Sequence, residues 1–495
     1  MPVPARAALA PALAADVKTW LMAGLFSRNN ASKPQRFSKS LGFMTVDTKR
    51  RAVSLLDPGI YHYLRESHDG KKRIHLRIDN DGSGTLLVNA SRMYHLNPSA
   101  TLMAHALLED RSDEKIIASL RKAFNVKPTQ AAADLIDFKG KFAMLASPEG
   151  DPCPICDLEV DTLTPFSSRP SAPYRMDLAL TYRCNNRCLH CYNEASRARE
   201  ELTTEQWKRV LDHVWSLGIP HVVFTGGEPT LRDDLPELVA YAEHLGLITG
   251  LNTNGRRLAD LAFLDRLIAA GLDHVQVTLE SHDAVIHDRI TATKNAWEQT
   301  VVGLRNALAS KIFVMTNTTL LKSNSAQLKE TLEFLSELGI PTVGLNGLIY
   351  SGRGALIDEE IAESDLHALL EIAKTHMESS GQRLIWYTPT LYCHFNPVES
   401  GLGVKGCTAA LYNMCIEPDG GVLPCQSYYQ PLGYFLKDEW GTIWNHELAV
   451  SIRERRFAGE GCHYCDLLDT CGGGCPLYLE SNRAFRPEPV NALPF

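Results

Sequence analysis

The sequence predicts an α/β protein of parallel strands sheathed by helices, with a small α+β module before it and a cysteine-rich region after it. Three observations carry this. Between about 175 and 390, strand-like apolar runs alternate with helical periods, and such alternation implies parallel pairing with helices outside. Upstream, "RIHLRID" and "TLLVNA" flank the turn "NDGSG" and read as a hairpin. Downstream of about Tyr392, Cys and Gly accumulate while periodicity fades, a composition in which metal replaces part of a hydrophobic core.

Composition narrows the function classes. Of 495 residues, 44% are hydrophobic and 22% charged, ordinary values for a globular chain of two to four domains. The net charge of −8 does not favour nucleic acid or an anionic membrane. No apolar run reaches spanning length. The Ala-rich start has one Arg and no sustained apolar core through Phe26, so it is a poor secretory signal; a cytoplasmic location is expected, with residues 1–69 as a partly disordered or packed extension.

In the first module, "RMYHL" supplies a third strand. A helix begins at Pro98 and Ser99. A second follows Ser112 as N-cap, with Ile116, Ile117, Leu120 and Phe124 on one face, and a third runs from Pro128 to about Phe138. The main strands are "MDLALTY", "PHVVFTG", "LITGLNT", "DHVQVTLE", "KIFVMTNT" and "TVGLNG". Among the intervening helices are Thr203 to Leu217 and Ser325 to Leu338. In such folds the chemistry gathers at the C-terminal strand ends. Those ends carry "CNNRCLHC", "GGEP" and "NTNG".

The chain has 13 cysteines and no signal peptide, which argues for metal rather than disulfides. Cys184, Cys188 and Cys191 form C-x3-C-x2-C. Four thiolates saturate a 4Fe–4S cluster, whereas three leave one iron open. Structural zinc wants four ligands, and His190 lies inside a tight loop.

The loop resembles the signature of the radical S-adenosylmethionine (SAM) superfamily, with His190 in the usually aromatic slot, and "GGEP" (Gly226, Gly227, Glu228, Pro229) follows on the next strand. The resemblance implies a partial (β/α)6 TIM-type barrel over 175–390. It also implies a SAM-binding 4Fe–4S cluster on Cys184, Cys188 and Cys191, with the open iron chelating the amino and carboxylate groups of SAM's methionine. Glu228 and the glycine backbone would hold the ammonium. Thr278 stands where the family has the Ser of "SLDG", while Glu280 and Ser281 depart from it; Arg289 matches an Arg that commonly reaches SAM. Asn252 and Asn254 end the third strand facing the site.

"CHYCDLLDTCGGGC", Cys407 and "GGVLPC" together resemble the SPASM domain, expected over 391–495 with one or two auxiliary 4Fe–4S clusters. By that resemblance Cys407, Cys415, Cys425 and Cys475 hold the first cluster and Cys462, Cys465 and Cys471 three irons of the second. The family's last cysteine is absent. Its place is open to Cys153 or Cys156 of "CPIC" in the linker 147–174, an Asp, or an exogenous ligand, unless this cluster is missing; Cys393 reads as a buried thiol. Zinc remains the alternative for the C-x2-C pair.

"YHLNPSATLMAHALLEDRSDEKIIASLRKAF" is similar to the RiPP recognition element, a winged-helix-like module that binds leader peptides of ribosomally made, post-translationally modified peptides; 70–146 is its expected extent. A winged-helix DNA binder is the alternative, but there is no basic recognition helix. These resemblances imply a radical SAM enzyme that modifies a precursor peptide carrying a leader, served by an electron donor such as flavodoxin or ferredoxin, with no nucleic acid or membrane partner. Two rivals stand beside it: a radical enzyme acting on a folded protein or small metabolite, and a non-catalytic iron–sulfur or zinc scaffold.

Overall fold

The computed structural model describes residues 56–67, 70–89, 92–145, 170–193 and 200–483; Cys153 and Cys156 lie outside these. The first module is an antiparallel sheet in the order β1 (Gly59–Ser67), β2 (Gly70–Ile78), β3 (Gly84–Val88), β4 (Arg92–Leu96). It packs against α1 (Pro98–Leu108), α2 (Asp113–Phe124) and α3 (Pro128–Leu145). The hairpin, the third strand and the three helices stand where the sequence places them. Three details differ. β1 was not anticipated. α3 continues through Gly140 instead of stopping near Phe138. Ser112 sits at the N-cap without its side chain making the capping bond, which leaves Asp113 and Glu114 in the first turn to complement the helix dipole.

β2 is buried on both faces because its pattern serves two cores. Ile74, Leu76 and Ile78 face the module's own core. The alternate residues Arg73, His75 and Arg77 bind the neighbouring barrel. Arg73 is 2% exposed and pairs with Asp273 at 2.9 Å and with Glu243. The His75 ring meets the Gly246 carbonyl at 2.7 Å, and Arg77 donates to the Ala172 carbonyl at 3.0 Å.

The barrel strands are β5 (Arg175–Thr181), β6 (His221–Gly226), β7 (Ile248–Thr253), β8 (His274–Thr278), β9 (Phe313–Thr319) and β10 (Thr342–Asn346), parallel and in sequence order. A seventh parallel strand, β11 (Arg383–Trp386), extends the edge beyond β10. The helices between them are α4 (Thr204–Ser216), α5 (Leu235–Leu245), α6 (Leu261–Ala269), α7 (Ala284–Ile290), α8 (Ala296–Leu308), α9 (Lys322–Ser325), α10 (Leu328–Glu337) and α11 (Leu366–Ser380). α4 starts at a reciprocal capping box between Thr203 and Gln206 and buries Trp207, Val210, Leu211 and Val214. Burying each such side chain contributes about 1.5–3 kcal/mol. The helix expected over Ser325 to Leu338 begins only at Leu328, because the chain turns at Ala326 and Gln327 after the short α9.

The cysteine-rich region does not stand apart. Its strands β12 (Asn413–Ile416), β13 (Gly421–Leu423) and β14 (Gly433–Tyr434) continue the barrel sheet, β12 pairing with β5 in parallel register. On β5, Met176, Leu178 and Leu180 face the helices, while Arg175 and Asp177 face the interior cavity. No helix among the described residues is long and apolar enough to cross a membrane.

Candidate active site

A single cavity of about 570 Å³ opens at the C-terminal ends of the barrel strands. Cys184, Cys188 and Cys191 line it, and so do Cys407, Cys425 and Cys475. Asn252, Asn254, Thr278, Asn317 and Asn346 line it as well.

The first cysteine loop is fastened from several sides. Arg187 and Leu189 donate backbone bonds to the Thr291 and Ile290 carbonyls, and Arg353 donates to the Cys191 carbonyl at 2.9 Å. Arg256 donates to the Asn185 carbonyl at 2.6 Å and to the Asn186 side chain at 2.8 Å. Arg256 escaped sequence reasoning; its place two residues after "NTN" was the available signal. Burial pushes the Cys184 thiol up to about 11, and burial with the neighbouring Cys191 raises that of Cys188. Buried thiols this close resist ionising unless a cation compensates them.

Gly226 and Gly227 pack directly under this loop. Gly226 has φ +125°, and a Cβ there would stand 2.3 Å from the Thr181 carbonyl oxygen; at Gly227 it would stand 2.4 Å from that of Arg183. The Gly226 carbonyl accepts from the Asn193 amide at 2.7 Å, and Asn193 in turn accepts from the Tyr429 hydroxyl at 2.8 Å. One hydrogen-bonded chain therefore joins the glycine turn, the cysteine loop and the C-terminal region.

Glu228, expected on the SAM ammonium, is held by the chain's own donors. It is fully buried, does not line the cavity, and accepts from the chain's own donors: the Thr230 amide and hydroxyl, the Thr253 hydroxyl and the Asn254 amide, at 2.6–3.1 Å. Burial raises its carboxyl above the ordinary range, against the lowering effect of these bonds. Pro229 is buried at the start of the following turn, also off the cavity. Arg289 is not brought to the site either. α7 turns His287 and Ile290 inward and leaves Arg289 exposed, donating to the Ser323 carbonyl.

In the second group, burial raises all three thiols; Cys407 and Cys475 raise that of Cys425 further, and Cys407 raises that of Cys475, to about 12. Cys415 is 1% exposed on β12 beside Asp177 and Cys425, and does not line the cavity. Cys462, Cys465 and Cys471 lie outside it. Cys393, expected as a buried thiol, is exposed.

The side-chain oxygens of Asn317, Asn346 and Gln426 line the cavity, are buried, and have no partner among the described residues, which suits a polar ligand. Among the described residues no group of three His, Cys, Asp or Glu side chains is arranged to hold a single metal ion. Three thiols about a shared space fit a cluster instead, where each cysteine binds a different iron.

Comparison with known proteins agrees with this geometry. Residues 178–335 match the Radical SAM superfamily, 407–466 an iron–sulfur cluster-binding domain (SPASM), and 84–143 coenzyme PQQ synthesis protein D (PqqD). The chain belongs to the radical SAM superfamily of enzymes. Membership implies a SAM-binding 4Fe–4S cluster and, in the C-terminal domain, auxiliary clusters.

Among its relatives, the PqqA peptide cyclase of Methylorubrum populi is 31% identical over 317 residues, covering 61% of this chain and 80% of the relative. The Fe-coproporphyrin III synthase of Methanosarcina barkeri is 28% identical, covering 61% and 83%. Streptococcus suis SuiB bound to S-adenosylmethionine superposes with a TM-score of 0.62 at 18% identity, over 83% of this chain and 95% of that one. SuiB bound to its precursor peptide SuiA gives 0.62 at 17%, over 84% and 96%. At these identities the SuiB likeness is one of fold.

Proposed function

We propose that this enzyme modifies a ribosomally synthesised precursor peptide by radical chemistry, with residues 70–146 holding the leader and the barrel acting on a distant core segment. When bound, the cluster and SAM supply a 5′-deoxyadenosyl radical that abstracts hydrogen from an unactivated carbon. Cys184, Cys188 and Cys191 hold that cluster. Gly226, Gly227, Asn252, Asn254 and Thr278 border the SAM, while Glu228 positions Asn254 and Thr253 from behind. Cys407, Cys415, Cys425 and Cys475 hold one auxiliary cluster, and Cys462, Cys465 and Cys471 three irons of another. The barrel excludes water from the reacting centre.

The observation that carries the peptide reading is the PqqD-like module docked on the barrel, with β4 at the outer edge of its sheet. A leader adds there as a strand through main-chain bonds, as in strand-addition modules generally. The PqqA peptide cyclase relative and the fold shared with peptide-bound SuiB support the same reading. A second reading, a small-molecule substrate, draws on the Fe-coproporphyrin III synthase relative. Anaerobic co-expression with short open reading frames beside the gene, followed by mass spectrometry, separates them. A mass change confined to a core segment and dependent on its leader is expected. SAM cleavage stimulated by a small metabolite and by none of those peptides overturns the proposal.

A further inference from the structure

The segment after β11 is bound to the second cysteine group. The Cys471 sulfur contacts the Thr390 carbonyl at 3.6 Å, and the Tyr392 amide donates to that sulfur at 3.4 Å. The Leu391 amide donates to Glu363 on the cavity wall, and a Cβ at Gly474 would meet the Leu391 side chain at 3.2 Å. The next residue is Cys393, exposed and within electrostatic range of Cys462 and Cys471. Cys462 and Cys465 share one short turn, closed by the Cys465 amide on the Cys462 carbonyl at 3.1 Å. Cys393, about seventy residues upstream of Cys462, thus comes into the neighbourhood of Cys462 and Cys471, with Cys465 in the turn of Cys462.

We infer that Cys393 is the fourth protein ligand of the second auxiliary cluster, supplied from the segment after β11 to a site formed by Cys462, Cys465 and Cys471. The inference rests on the reading that those three cysteines hold a cluster. Four thiolates, one for each iron, give a coordinatively closed 4Fe–4S cluster. Binding releases the Cys393 thiol proton to solvent and leaves the thiolate on iron. A closed cluster has no site for a substrate atom, so its chemistry is restricted to holding the fold and passing electrons.

The test uses the full chain, anaerobically reconstituted. In the intact protein Cys393 is protected from iodoacetamide when clusters are present and alkylated when they are removed, read by peptide mass spectrometry. Cys393→Ala loses up to about four irons per chain, or shows the electron paramagnetic resonance signal of an oxidised 3Fe–4S cluster. A Cys462/Cys465/Cys471→Ala variant loses about four irons. If that triple variant keeps all its iron, the underlying reading fails and the inference with it. If the triple variant loses a cluster while Cys393 stays freely alkylated in the loaded protein and Cys393→Ala keeps its iron and spectrum, the inference alone is overturned.

Discussion

The imidazole of His190 approaches the carboxylate of Glu280 at 3.1 Å. These are two positions where the chain departs from its superfamily's usual pattern: His190 sits in the aromatic slot of the cysteine loop, and Glu280 ends the fourth barrel strand. Glu280 is fully buried and also accepts from the Thr319 amide at 3.0 Å. The His190 contact lacks hydrogen-bond alignment, so it acts as an ion pair when the ring is protonated. The two departures meet, and each explains the other.

His190→Phe and Glu280→Gln should each destabilise the protein, by about 1–3 kcal/mol, because each leaves a buried polar partner uncompensated. The double variant should cost less than the sum of the singles. Anaerobic urea unfolding measures this; strict additivity would show that the contact contributes nothing.

Replacing Cys184, Cys188 and Cys191 together with Ala should abolish 5′-deoxyadenosine formation under reducing conditions while circular dichroism stays near that of the intact protein. Undiminished SAM cleavage would sink the assignment of the cluster to this loop.

Glu228→Gln keeps the shape but sets an amide among donors that all point at a carboxylate. SAM affinity should fall about tenfold, about 1.4 kcal/mol, through misplacement of Asn254 and Thr253, while iron content is retained. Calorimetric titration with SAM reads the effect, and unchanged affinity removes the positioning role.

Arg73→Met leaves Glu243 and Asp273 facing an apolar side chain. Breaking a buried pair on one side costs about 3–5 kcal/mol. Docking of the module should weaken, and peptide turnover should fall about tenfold or more as the core segment loses effective concentration. Uncoupled SAM cleavage should change little. Equal loss of both activities would place the effect in the barrel instead.

His75 gives the module interface a pH dependence. Burial holds its ring down to about 3, against the raising effect of its bond to Gly246. The unfolded ring titrates near 6.5. Stability from the neutral ring is therefore full above about 6.5 and declines as pH falls towards 3, by about 1.4 kcal/mol per pH unit for this one group. His75→Gln keeps a donor for the Gly246 carbonyl and should flatten the slope of unfolding free energy between pH 6.5 and 5 by about one proton. An unaltered slope would refute the assignment.

The sequence was most legible where burial is complete. β6 and β10 are buried at every position, and the β-branched and apolar residues at their centres placed them within a residue or two. β1 was missed because "GIYHYLRES" mixes polar and aromatic residues on a strand whose partner is a neighbour in the fold rather than a pattern in itself. The pairing of β12 with β5 joins segments more than two hundred residues apart, and no local signal encodes it. The cysteine loop was legible because its spacing is covalent. The placements of Glu228 and Arg289 were not, because a motif states which residue is present and not which way its strand or helix turns it. Cys393 was misjudged for the same reason: a lone thiol in sequence carries no record of its neighbours in space.

The ladder between β5 and β12 frees part of the chain from a metric duty. Because the sheet itself fixes where β12 lies, the exposed stretch around Val398 and Val404 does not set the register between the strand before the first cysteine loop and the strand that carries Cys415. Doubling such a loop costs only about 0.6 kcal/mol. Length drift there would leave the β5–β12 ladder as it is, while an insertion of even one residue within Asn413–Ile416 would shift its register and move Cys415 to the other face of the sheet.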